Sequence, residues 1–134
     1  MSKEKVVSMT PKKSRFVQPS IVRLNLSNDD WLDVRRELTV GEQRKAMAKT
    51  ISTMRADGRI EPNMEMIGKA EISAYIVDWS FVDANDKRVP FSESALDNLT
   101  PADYQEVDTV VRAHIAAVEE ERKKDESGSS QKPS

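Results

Sequence analysis

Hydrophobic positions first alternate along the chain and then repeat with helical spacing. In residues 20–26, SIVRLNL, Val22, Leu24 and Leu26 share one parity, and Arg23 and Asn25 the other. A period of two predicts a half-buried strand. Ser27-Asn28-Asp29-Asp30 has turn chemistry, since short polar side chains bond to nearby backbone and tolerate left-handed conformations. From Trp31 to Glu37 the alternation resumes, with Trp31 and Asp33 on one parity and Leu32 and Val34 on the other. A β-hairpin is predicted. Two strands alone are marginal in water, so the hairpin must pack on helices.

Thr39-Val40-Gly41-Glu42 matches the capping box, in which Thr and Glu satisfy each other's backbone N–H groups. A helix is predicted from Val40 to about Arg55, with Val40, Met47, Ile51 and Met54 as its apolar stripe. Gly58 suits the left-handed position that ends a helix, and Pro62 suits the first position of the next. In that next helix Met64, Ile67, Glu71, Ala74 and Asp78 share one side, and Ile72, Tyr75, Ile76 and Trp79 another. Ile72 to Val82 also contains good strand formers. No breaker interrupts the run, so the helix is expected to reach about Ser80.

Asp83 to Pro90 reads as a polar loop, and Ser92 as the cap of a short helix through Asn98. Thr100-Pro101-Ala102-Asp103 is a second cap, with proline at the first helical position and an acid at the third. Tyr104, Val107, Val111, Ile115 and Val118 recur at spacings of three and four, and Glu119 to Lys124 extends that helix as a solvated, fraying end. The expected fold is α+β and mostly helical, an N-terminal β-hairpin packed on about four helices. Residues 20–124 form its single domain, between a disordered arm (1–19) and a flexible polar tail (125–134).

Composition sharpens this outline. The 134 residues are 37% apolar and 33% charged, with a net charge of −2. The total hides a split: residues 1–23 carry +5, residues 24–118 carry −6, and residues 119–134 carry −1. A basic arm therefore precedes an acidic body. The body would repel a nucleic-acid duplex, and the arm has Phe16 as its one aromatic for stacking. With no cysteine there is no disulfide framework, thiolate metal site or cysteine nucleophile. No apolar run is long enough to span a membrane, and no apolar segment follows the basic start as in a secretory signal.

Candidate chemistry is sparse. His114, the one histidine, lies between Val111 and Ile115 and reads as a structural residue. Asp83-Ala84-Asn85-Asp86 superficially suggests a calcium loop, but Lys87 replaces a ligand, Arg88 the glycine and Ser94 the bidentate glutamate. No glycine-rich phosphate loop or nucleophile elbow occurs. The expectation is a non-enzyme without cofactor or metal, working by protein–protein contact. Met66, Tyr75 and Trp79, on a helix with two apolar sides, are the candidate partner-binding residues. Aromatic anchors bury large areas, and methionine repacks against varied apolar partners.

The run from Ala74 to Phe91, AYIVDWSFVDANDKRVPF, resembles the central signature of tail assembly chaperones of long-tailed bacteriophages. That signature is a helix ending in an apolar-x-x-W-x-apolar run, a D-x-x-G/D-x-x-x-P loop, and a short helix ending in L-x-P. Leu99-Thr100-Pro101 matches the last piece, and Arg36 to Glu42 the family's R-x-L-T-x-x-E. The likeness spans about residues 20–120. Where the family's loop often has glycine, this chain has Asp86.

The resemblance implies a small, mostly helical protein that binds the tape measure protein. It would keep that protein soluble until tube subunits polymerise around it. The tail tube subunit and further copies of the chain are secondary partners, and the host cytoplasm is the implied location, with the protein left out of the mature virion. A frameshifted long form, joined near Asp125, is implied too. Two other roles remain open at this point: a virion connector, and a nucleic-acid-binding regulator acting through residues 1–23.

Overall fold

The computed structural model of the protein describes residues 13–51 and 64–130; for residues 51, 64–66 and 126–130 it describes the backbone alone. The positions expected to end the first long helix and start the second, Arg55, Gly58 and Pro62, lie outside the described residues, as do residues 1–12 and 131–134.

The alternating segments pair as expected. Strand β1 (Ile21–Asn25) runs antiparallel to β2 (Trp31–Arg35), with Val22 opposite Val34 and Leu24 opposite Leu32. A short 3-10 turn, Ser27–Asp29, joins them. Asn28 (φ 57°) and Asp29 (φ 62°) are both left-handed there, a conformation that short polar side chains tolerate best after glycine. Glu106, far along the chain, accepts from the Ser27 N–H (2.8 Å) and hydroxyl (2.9 Å) and so fastens the turn to the last helix.

The capping box forms as written. The Thr39 N–H donates to Glu42 Oε1 (2.9 Å), and the Glu42 N–H to Thr39 Oγ1 (3.1 Å). They start helix α1 (Val40–Ile51), which packs on α2 (Met64–Tyr75).

One boundary departs from expectation. The helix expected to reach Ser80 stops at Tyr75, and Ile76–Trp79 is a third strand, β3, paired antiparallel with β2. The sheet order is β1-β2-β3. Without β3, one edge of β2 would present unpaired backbone donors and acceptors. The β-branched and aromatic residues of IVDW also favour the pleated state.

Helix α3 (Glu93–Asp97) is capped by Ser92, whose Oγ accepts from the Ala95 N–H at 3.0 Å. Helix α4 (Pro101–Ser130) starts at Thr100, whose Oγ1 accepts from the Asp103 N–H at 3.2 Å. Its helical backbone continues past Lys124 into the stretch expected to be a tail. Arg36–Glu121 and Arg122–Glu119 ion pairs hold its later turns, and no proline interrupts before Pro133.

The core lies between the inner sheet face and α2, α3 and α4. Leu32, Val34, Ile76 and Trp79 of the sheet meet Ile72, Leu96, Val107 and Val111. The fold is thus α+β and mostly helical, with four helices and one three-stranded antiparallel sheet among the described residues.

Candidate functional site

Of the three candidate contact residues, two are core. Trp79 is 1% exposed and Tyr75 9%. The Trp79 ring lies 4.7 Å from Phe81 and, edge-on, 4.9 Å from Phe91, and its Nε1–H donates to the Val89 carbonyl. Tyr75 meets the His114 ring edge-on at 6.1 Å. Neither side chain is presented to a partner. Met66 belongs to α2, and its side chain lies outside the described residues. The structure therefore does not bring these three together as a surface.

His114 is structural as well. Its Nε2 lies 3.1 Å from both the Arg35 and Arg36 carbonyl oxygens. Carbonyls only accept, so Nε2 carries the proton and pins α4 to the end of β2.

The face of the sheet turned away from the core offers a different site. Strand alternation sends Arg23, Trp31 and Asp33 outward as it sends Leu24, Leu32 and Val34 inward. Arg23 binds Asp33 in a fork, Nε to Oδ1 at 2.8 Å and Nη2 to Oδ2 at 3.0 Å. The same guanidinium lies 3.7 Å from the centroid of the Trp31 ring. From beyond β3, Arg88 reaches back to Asp78 Oδ2 (3.1 Å), the Trp79 carbonyl (2.9 Å) and the Trp31 ring, at 5.3 Å. The Asp33 carboxyl is held below its ordinary range, chiefly by the hydrogen bond from Arg23, and the same bond raises Arg23.

Trp and Arg are the residue types that most often dominate binding energy at protein interfaces. Here ion pairs to Asp33 and Asp78 orient two arginines over one tryptophan on an open sheet face, which lessens the rotamer freedom to be lost on docking. Exposed apolar side chains lie along the sheet's margins: Ile21 in β1, Val77 in β3, and Val82 just beyond it. The sequence carried a signal for this face in the parity of Trp31 and Asp33, opposite to that of Leu32 and Val34.

A loop positions Arg88. Asp83 Oδ1 accepts from the N–H groups of Asn85 (2.8 Å) and Lys87 (3.1 Å), and Asp86 is left-handed at φ 65°. The turn closes on a bridge between Val82 and Arg88. Among the described residues no helix is long and apolar enough to cross a membrane, and no group of acids and histidine is arranged to hold a metal ion. Compared with protein-family models, curated proteins and solved structures, the chain matches none.

Proposed function

We propose that this protein is a tail assembly chaperone of a long-tailed bacteriophage, acting without catalysis by holding the tape measure protein until the tube assembles. The observation that carries this reading is the run from Ala74 to Pro101 with its W, D-x-x-D and L-x-P elements. Those elements have defined roles in the fold. The tryptophan anchors the core, the left-handed Asp86 stands where the family often has glycine, and Pro101 is the first residue of α4. The sheet face of Arg23, Trp31 and Arg88 is the proposed docking surface, in place of Tyr75 and Trp79.

A holding protein acts by mass action: binding the exposed segments of its client lowers their free concentration. The test is co-expression of the chain with the tape measure protein that this reading expects to be encoded beside it. The chaperone reading expects a soluble complex and scarcity in purified virions. Stoichiometric recovery from virions would make the protein a connector instead. Salt-sensitive duplex binding mapped to residues 1–23 would make it a regulator.

A further inference from the structure

The ladder fixes which way each backbone group of β1 points. The Arg36 N–H donates to the Ser20 carbonyl (2.9 Å) and the Leu26 N–H to the Asp30 carbonyl (2.8 Å). Both bonds keep the register that pairs Val22 with Val34 and Leu24 with Leu32. Antiparallel strands alternate between bonded and non-bonded pairs. Ser20, Val22, Leu24 and Leu26 therefore turn their N–H and C=O groups toward β2, and Ile21, Arg23 and Asn25 turn theirs away. β1 is an outermost strand of the sheet. Those outward N–H and C=O groups have no hydrogen-bond partner among the described residues.

The opposite edge is closed. Beyond β3 the Trp79 carbonyl accepts from Arg88 Nη2 (2.9 Å), and the Phe81 carbonyl from the Val89 N–H (3.0 Å). Folded proteins blunt a free edge with lysine, proline, a bulge or a covering segment. Ile21–Asn25 contains no lysine or proline, and its pairing with β2 has no bulge. Its one charge, Arg23, is drawn over the Trp31 ring by Asp33, away from the edge. Val22 and Leu24, on the inner face of this margin, are only partly buried.

We propose that the free edge of β1 takes an added antiparallel strand from a protein partner, an extended segment with alternating apolar residues and an acid opposite Arg23. Main-chain hydrogen bonds to Ile21, Arg23 and Asn25 supply the attachment, and the alternating side chains supply the selectivity. The apolar parity of the segment covers Val22 and Leu24. The acid follows from charge: Arg23 is the only charged residue of β1, and its side chain is 55% exposed beside Asp33. Two of its five N–H donors go to Asp33, which leaves three for an acid across the edge. A second copy paired along the whole of β1 would set Arg23 against its own counterpart, and like charges directly opposite are destabilising. The edge goes beyond the outer-face docking proposed above and does not require the partner to be a tape measure protein.

The experiment is amide exchange measured by NMR on the full chain at about 150 mM salt, where loose pairing of exposed charges is screened. The probe is a blocked peptide, Ser-Thr-Val-Glu-Val-Thr-Ser, in which the glutamate falls opposite Arg23 and the valines beside Val22 and Leu24. At about 90% saturation, exchange of the Ile21, Arg23 and Asn25 amides should slow about tenfold, while the ladder amides of Val22 and Leu24 change little. The glutamine counterpart of the peptide should bind about two- to fivefold more weakly. A peptide N-methylated at the residues facing the edge should not bind. Asn25→Pro removes an edge-facing N–H without touching the ladder to β2, so it should weaken binding at least about fivefold in a protein that still folds. If that variant unfolds, the N-methylated peptide carries the same test. Equal binding of the N-methylated peptide, or no slowing at the three amides, would overturn the proposal. Shifts at Trp31 and Arg88 with unslowed edge amides would place the peptide on the outer sheet face instead. Protection of the three amides without peptide would overturn the choice of occupant: growing with protein concentration it would assign the edge to a second copy, and independent of concentration to the chain's own residues.

Discussion

Asp86 occupies a backbone position that L-residues avoid. At φ 65° its Cβ crowds the neighbouring carbonyl, which costs about 1–2 kcal/mol for an ordinary side chain and nothing for glycine. The turn is closed by the Asp86 N–H donating to the Asp83 carbonyl at 3.0 Å, and this bond is indifferent to the side chain. Asp86→Gly should therefore be more stable than Asp86→Ala by about 1–2 kcal/mol in urea unfolding. Equal stability would mean that the loop has another conformation in solution. Glu42 makes a pH prediction. Its carboxyl is held below the ordinary range, first by the backbone N–H of Thr39 and then by Arg35. A depressed folded pKa gives stability that is fully present above the unfolded value, about 4.3, and lost as pH falls through the folded value. Glutamine can still accept the Thr39 N–H, so Glu42→Gln removes only the charge: wild type should be more stable at pH 7 by about 0.3–1 kcal/mol, and the gap should close below about pH 4. This cap was legible in the sequence because it needs only two residues three apart. The Arg35 contribution was not, because it comes from another element.

At the scale of elements, β3 shows how a spacing can mislead. Ile76 and Trp79 are three apart, as on one face of a helix, and both are buried. In a regular strand they would face opposite ways. The register resolves this: Val34 pairs with Ile76 while Asp33 pairs with Asp78, so Val77 is one residue too many. That bulge lets residues three apart face the same core, and Val77 itself is 42% exposed. The hairpin was legible because its two strands are adjacent and its alternation unbroken. The third strand was not, because its partner lies some 40 residues away and its bulge imitates a helical period. Trp79→Ala should cost about 3–5 kcal/mol, as expected for a large aromatic deleted from a close-packed site. Denaturant unfolding checks this, and a loss under 1 kcal/mol would place the indole at the surface. His114→Ala should destabilise by about 1–3 kcal/mol, since two carbonyls lose their donor between α4 and β2. A change within experimental error would show that those carbonyls are satisfied without the imidazole.

For the whole molecule, the division between core and surface decides where function can reside. Sequence periodicity selected large apolar side chains as contact candidates, yet the most apolar and aromatic of them, Trp79, is what a body of this size buries first. A candidate surface is better sought in residues that are large and out of step with the core, which here means Trp31. Its two flanking arginines could not be foreseen together, since Arg23 lies in the preceding strand and Arg88 in a loop more than fifty residues on. If this face is where a protein partner docks, Trp31→Ala should remove at least about 2 kcal/mol of binding, roughly thirtyfold in Kd. The same change should move the melting temperature by only a few degrees, because the ring faces away from the core. Arg88→Ala should give a smaller loss of binding, since that guanidinium lies farther from the ring, at 5.3 Å against 3.7 Å for Arg23. Trp79→Ala supplies the contrast, with binding lost only in proportion to the folded fraction lost. Capture assays paired with melting curves on these three variants separate a docking face from a buried anchor. Unchanged capture by a folded Trp31→Ala protein would move the partner off the sheet altogether.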